Sequence, residues 1–192
     1  MGRVSTDQLR TYARSTEPWT AEHWAALPLD GRRYELLDGA LLVGQAASPE
    51  RQEVVHGVMS LLAGAVPAGT RVAHGPGVLA GDSLVVPDVV VVRADADADL
   101  GARSTVAAGD VLLAVEVAEQ SNATTALLTL PALLAAAGVP AYWRYELHAG
   151  PALVLHRLAA DSYALEGRLR EGQVQTLTTP FQVTVGPSRV LR

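Results

Sequence analysis

The sequence predicts an α/β domain: a mixed central β-sheet flanked by helices, with further strands extending it at both ends. Three observations predict it. LVVPDVVVVR and, after a loop, DVLLAVEV are two apolar runs with the length and β-branched content of buried strands. Ahead of them Val54, Val55, Val58, Leu61, Leu62 and Val66 recur at helical spacing and form one apolar face. After them an Ala/Leu-rich helical stretch closes near Gly138 and leads into the strand pattern PAYWRYEL.

The length of 192 residues suits one domain with a single core, and 49% hydrophobic with 18% charged residues places the chain among ordered globular proteins. Residues 1–18 are polar and aperiodic and read as a flexible arm; residues 19–192 read as the single domain. There is no Cys, which excludes a disulfide scaffold and a thiolate metal site. The opening stretch has no apolar core of a secretory signal, so a cytoplasmic location is expected. Ser121 to Trp143 carries no charge over about the length of a membrane span. Pro131, Gly138 and Pro140 interrupt it and strand patterns flank it, so a buried helix is expected, and no membrane contact.

In order, Thr20 caps a short helix in AEHWAAL, with Glu22 in its first turn and Pro28 after it. RRYELLDGALLVG alternates about Asp38-Gly39, a dipeptide that accepts the positive φ of a type I′ turn, and so reads as a hairpin. Ser48 caps the next helix, Pro49 takes its first position, and Pro67 and Gly69 end it. TRVAH, GVLAG and SLVVPDVVVV come next as strands, with the turn Gly81-Asp82 before the last. Residues 94 to 110 read as a solvated acidic loop. Asp95, Asp97 and Asp99 mimic the start of a calcium loop, but Gly101 comes one place late and Val106 stands where the closing Glu belongs. After PAYWRYEL and a turn at His148-Ala149-Gly150 comes PALVLHRLA, then strand patterns around Tyr163, Val174 to Leu177 and Phe181 to Val185. Asn122-Ala123-Thr124 is a glycosylation sequon by letter only.

Each central strand carries one carboxylate: Asp88 directly after Pro87, and Glu116 inside LLAVEVA. Burying a charge in such a run is costly unless it is paired, hydrogen-bonded or bound to a metal. Two of them, each on a candidate core strand, point to a shared site; the alternative is a polar residue at each strand end facing water. The five His residues (His23, His56, His74, His148 and His156) show no metal-ligand spacing.

Together, several short motifs give the chain a resemblance. They are T-x-E-x-W-x-x-L-P and D-G-R-R-Y-E-L-L-D-G (Thr20 to Gly39), S-P-E-R-Q (Ser48 to Gln52), V-P-D-V-V (Val86 to Val90), V-E-V (Val115 to Val117) and A-G-V-P-A-Y-W (Ala137 to Trp143). In this order the chain resembles the PD-(D/E)XK nuclease superfamily. More narrowly, it is similar to the small bacterial Uma-type family usually labelled restriction endonucleases. The resemblance implies a restriction-endonuclease-like core and Mg²⁺-assisted DNA hydrolysis. In that scheme Asp88 and Glu116 hold the metal, Glu35 is a third acidic group, and Gln52 lines the site from its helix. The local alternatives for Glu35 and Gln52 are a cross-strand surface charge and a solvated helix residue.

The sequence departs from the family where the chemistry needs a lysine beside the attacking water. In the plain motif that position is Ala118; in the Uma-type branch the helix positions before A-G-V-P are Ala126, Leu130 and Leu134, all apolar. The chain has no Lys: all 15 basic residues are Arg. Arg cannot serve as a base, its pKa exceeding about 12; Arg51 or Arg144 can supply only positive charge. Glu119 and Gln120 are the candidates for a substitute at the lysine's place. Pro131 adds a second departure: the helix either kinks there or begins there, with Thr129 or Leu130 as its entry.

Two classes of function are compatible with these residues. One is a metal-dependent endonuclease acting on DNA, which a net charge of -5 does not favour. The other is a non-nuclease protein on the same fold, its cleft repurposed for a small-molecule, nucleic-acid or protein ligand. The helix before Gly138 has no charge to turn toward water, which predicts a homodimer through it.

Overall fold

The fold is described from a computed structural model, for residues 17–96, 103–148 and 150–190. Most of the N-terminal arm, and Asp97, Asp99 and Gly101 of the acidic loop, lie outside the described residues.

Helix α1 (Ala21–Ala25) starts where Thr20 accepts the His23 amide and the His23 ring nitrogen takes the Thr20 N–H in return. Strands β1 (Tyr34–Leu37) and β2 (Ala40–Val43) form the expected hairpin, with Asp38 at φ 48 and Gly39 at φ 78. Helix α2 (Pro49–Ala63) begins at its Ser48 cap with Pro49 in the first turn. Strands β3 (Thr70–His74), β4 (Gly77–Ala80), β5 (Ser83–Val85) and β6 (Val89–Arg93) come next. The loop expected over 94–110 is shortened at its far end by β7 (Thr105–Ala107) and a 3₁₀ turn. Three residues carry little periodicity, and it is pairing with β4, with Val106 buried, that makes them a strand. After β8 (Val111–Ala118) come a π-helical turn (Thr125–Thr129) and helix α3 (Leu130–Ala136). Strands β9 (Ala141–Glu146), β10 (Ala152–Ala159), β11 (Ser162–Arg170), β12 (Gln175–Leu177) and β13 (Val183–Val185) lead to α4 (Pro187–Val190).

The central sheet has six strands in the order β11-β10-β9-β8-β6-β3, mixed because β8 and β9 run parallel and the other pairs antiparallel. The hairpin β1-β2 does not extend it. Together with β5, β4 and β7 it forms a separate five-stranded sheet, and β12-β13 stand apart as a ribbon. The β4-β5 hairpin turns at Gly81 and pairs with β1 through Leu36 and Leu84, away from the central sheet.

The central sheet is covered on both faces. On one, Val54, Val55, Val58 and Leu62 of α2 pack on Val89, Val91, Leu113, Val115 and Val117, with Phe181 and Val183 beside them. Gly57 lets α2 cross close to α4: a Cβ there would lie 1.6 Å from the Val190 carbonyl oxygen. On the other face Leu130 and Leu134 pack on Val90, Ala114 and Tyr142 and meet Val78, Val85 and Val106 of the second sheet. Pro131 sits in the first turn of α3, so the helix begins there. The preceding wide turn, in which the Leu130 N–H reaches back to Thr125 O, gives the proline ring room against the carbonyls before it. Leu127 and Leu128 of that turn are exposed, so the apolar stretch is covered on its sheet side only. Among the described residues no helix is long and apolar enough to cross a membrane.

Candidate functional site

Strand register places the two carboxylates together. Val89 of β6 faces Val115 of β8, so one step further along the antiparallel pair Asp88 faces Glu116. Both are buried, Glu116 completely. The Asp88 N–H donates to Glu116 Oε2 at 3.3 Å, and Asp88 Oδ2 accepts the Val117 N–H at 2.7 Å. Neither carboxylate is a strand-end charge facing water.

What satisfies them is a pair of arginines from two other elements. Arg33 lies just ahead of β1, and Arg51 stands in the first turn of α2, where its own N–H donates to the Ser48 cap at 3.1 Å. Arg33 reaches Glu116 Oε1 at 2.5 Å through Nη1 and Asp88 Oδ1 at 2.6 Å through Nη2. Arg51 donates through Nη2 to Asp88 Oδ1 at 2.8 Å and to Glu116 Oε1 at 2.9 Å, and through Nε to Asp88 Oδ2 at 3.2 Å. The Asn122 amide completes the set, giving one N–H to Glu116 Oε1 at 2.7 Å and another to Val117 O at 3.1 Å. Charge-assisted bonds at these distances are the strong kind, and a buried ion pair needs such completeness to offset its desolvation. Burial alone would lower the Arg33 pKa, but Glu116, Asp88 and Glu35 overturn that and hold it above its usual range. Burial pushes the Glu116 carboxyl up, with Asp88 and Glu35 adding to it, against the pull of Arg33 and Arg51.

The other expected residues lie around this cluster. Glu35, in β1, is buried and accepts the Val86 N–H at 2.9 Å; it acts on the cluster through charge. Gln52 is exposed, lines the adjoining cleft and donates to Ala47 O at 3.2 Å. Glu119 comes within 3.6 Å of Arg51 and accepts from Ser121 at 2.9 Å. Burial raises its pKa, yet hydrogen bonds from Ser48, Ser121 and Arg51 outweigh that and hold it low. Of the two arginines expected to supply charge, Arg51 does so. Arg144, although opposite Glu116 in register, gives its hydrogen bonds to Glu146 at 2.9 and 3.2 Å. Sequence reasoning missed Arg33 and Asn122. Two carboxylates in apolar strands of a lysine-free chain demand arginine partners, but that signal does not tell Arg33 from its neighbour Arg32. Ala126, Leu130 and Leu134, at the positions where the resemblance expects polar groups, are all fully buried.

A cavity of about 530 Å³ opens in front of the cluster, walled by Arg33, Arg51, Arg32 and Arg103 and by Trp24 and Tyr34. The Arg103 guanidinium lies 5.0 Å from the Trp24 ring centre and 4.9 Å from that of Tyr34, and donates to Pro28 O at 2.7 Å.

Carboxylate oxygens are the right kind of donor for Mg²⁺. Here, however, every oxygen of Asp88 and Glu116 already accepts a hydrogen bond, and two guanidinium groups neutralise the pair. Among the described residues no group of three or more His, Asp or Glu is placed to hold a metal ion. The arrangement does not fit a bound Mg²⁺.

A mixed sheet whose neighbouring central strands each present a buried carboxylate at one end defines the class: a restriction-endonuclease-like fold. The model of the Uma2 family, described as "Putative restriction endonuclease", matches residues 21–186, and the chain belongs to that family. Among solved structures the chain is similar to a "putative nuclease belonging to DUF820" from Anabaena variabilis ATCC 29413. The two are 12% identical, with a TM-score of 0.69 over 91% of this chain and 98% of that one, which shows the shared fold. No curated protein matches the chain.

Proposed function

We propose that this chain is a non-hydrolytic member of its family, with the cleft beside the former metal position given over to binding a small ligand. The observation that carries the reading is the pair of arginines lying on both carboxylates. Hydrolysis by the family's route needs a divalent cation on Asp88 and Glu116 to polarise the phosphate and lower the pKa of a bound water. It also needs a lysine, and the chain has none. The helix that would supply it is apolar toward the sheet at Ala126, Leu130 and Leu134. The cavity volume, about 530 Å³, is in the range of ordinary small-molecule pockets, and its wall mixes aromatic rings with guanidinium groups.

The test is cleavage. Supercoiled plasmid, linear duplex and single-stranded DNA are incubated with the protein in Mg²⁺ and in Mn²⁺, beside a preparation carrying Asp88→Asn and Glu116→Gln. The expected result is the same residual nicking in both. Cleavage by the wild type that disappears in the variant would overturn the reading.

A further inference from the structure

We infer that Arg33 and Arg51 together have taken over the charge-balancing role of a divalent cation at Asp88 and Glu116, so that a metal site lies latent beneath them. The inference deepens the non-hydrolytic reading and rests on it.

The charges match: two carboxylates against two guanidinium groups, the balance one dication would give. The positions match as well. A single nitrogen, Arg51 Nη2, lies 2.8 Å from Asp88 Oδ1, 3.0 Å from Asp88 Oδ2 and 2.9 Å from Glu116 Oε1. A point between two carboxylates and within reach of three of their oxygens is where a bridging cation would sit. Nitrogen needs about 0.8 Å more than the roughly 2.1 Å of a magnesium–oxygen bond. Arg33 bridges the same two carboxylates from the cavity side, one terminal nitrogen to each. Its side chain is 14% exposed against 3% for Arg51, so Arg51 is the inner plug and Arg33 the outer cover. The remaining contacts to the carboxylates, from the N–H groups of Asp88 and Val117 and the amide of Asn122, come from the sheet and the turn after it. They hold the carboxylates in place without either arginine.

The experiment is Mn²⁺ binding followed by electron paramagnetic resonance, with thermal midpoints in Mn²⁺ and in EDTA. It compares the wild type, Arg33→Ala with Arg51→Ala, and that double variant with Asp88→Asn added. The wild type is expected to bind no Mn²⁺ at this site and to keep its midpoint in EDTA. The double variant is expected to bind Mn²⁺ roughly tenfold or more tighter than the weakest binding the measurement detects, and to gain several degrees in midpoint on adding Mn²⁺. Adding Asp88→Asn should abolish both effects. Should the double variant fail to fold, Arg51→Met, which keeps the buried stem and the outer arginine, is read the same way. Wild-type Mn²⁺ binding that Asp88→Asn removes would overturn the inference, as would a folded variant with no gain in affinity. Because this experiment reads metal and the cleavage assay reads DNA, a failure of the inference is told apart from a failure of the reading it rests on.

Discussion

The two helices that cover the central sheet treat its carboxylate end in opposite ways. Helix α2 arrives capped by Ser48 and sends Arg51 from its first turn onto Asp88 and Glu116. The π-turn and α3, on the other face, begin with no side-chain cap and turn Ala126, Leu130 and Leu134 inward. By strand alternation Glu116 shares a face with Ala114, which packs in the same cluster as Leu130 and Leu134. Yet its cations come from α2 and from the residue ahead of β1. The cations of the site are thus set before the chain reaches Glu116, and the segment beyond it adds packing, the Val117 N–H, the Asn122 amide and the Glu119 carboxylate 3.6 Å from Arg51. The helix, apolar at Leu130 and Leu134, covers this face of the sheet without supplying charge to the site.

The strongest way to break this comparison is to remove one residue from each helix. Arg51→Ala leaves two buried carboxylates sharing one guanidinium and should cost about 3–5 kcal/mol. Arg51→Lys should recover little, since one ammonium cannot reproduce a nitrogen shared by both carboxylates with a second N–H alongside it. Leu130→Ala removes only packing and should cost about 2–5 kcal/mol, depending on how far the cavity collapses. The difference lies in what rescues each. Lowering the pH, which protonates the Glu116 carboxyl that burial already pushes up, should restore part of the loss in Arg51→Ala and none in Leu130→Ala. Urea unfolding of both variants at pH 5 and pH 8 measures this, and equal losses at both pH values in Arg51→Ala would show that α2 too supplies only packing.

A smaller effect distinguishes how the helices start. Ser48→Ala should cost about 1 kcal/mol, because the Ser48 hydroxyl accepts the Arg51 N–H and so also fixes the turn carrying the guanidinium. Thr129 makes no capping bond at the start of α3, and Thr129→Ala should stay within about 0.5 kcal/mol. Matching losses in the two unfolding curves would remove this asymmetry.

The local signals were legible wherever backbone chemistry is local. The Asp38-Gly39 hairpin, the Ser48-Pro49 helix start and the Glu116 strand arise from turn geometry, capping and a β-branched run, and each is present. The run SLVVPDVVVV, expected as one strand, is instead broken at Val86–Asp88 into β5 of the second sheet and β6 of the central one. Legibility stopped at tertiary choices. Nothing in β1 or β5 says that they pair with each other in a second sheet, and β7 is a strand only because β4 runs beside it. At the site, the carboxylates could be named from their apolar surroundings and Arg51 could be offered as charge. Arg33 could not be singled out, since Arg32 beside it has the same chemistry. The fold buries the one and leaves the other half-exposed beside Asp30. Pro131 left two readings open, and the choice fell to a wide turn whose hydrogen bond spans five residues, which α-helical periodicity does not register.

The smallest expected effect is a pH dependence that tells the two faces apart. Behind α3, His156 packs against the rings of Tyr142 and Tyr163, whose centres lie 5.8 and 6.4 Å away. Burial lowers its pKa below the ordinary 6.5, and the charge of Arg144 lowers it further, against a backbone hydrogen bond to Tyr142 and the charge of Glu146. The unfolded chain then takes up a proton that the folded chain refuses. Stability is therefore complete above about pH 6.5 and falls as the pH drops through the folded pKa. Beside α2, the Glu119 pKa is held below the ordinary 4.5 by Ser48, Ser121 and Arg51, outweighing burial. Its contribution is present above 4.5 and is lost only as the pH falls further. On acidification the α3 side should thus weaken first and the α2 side later. Urea midpoints from pH 8 to pH 4 should show the early loss disappear in His156→Gln and persist in Glu119→Gln. If His156→Gln left the early limb unchanged, His156 would not be its source, and neither would Glu116, whose raised pKa makes acidification favour the folded state. The side of the sheet that looks chemically silent would then be silent to protons as well.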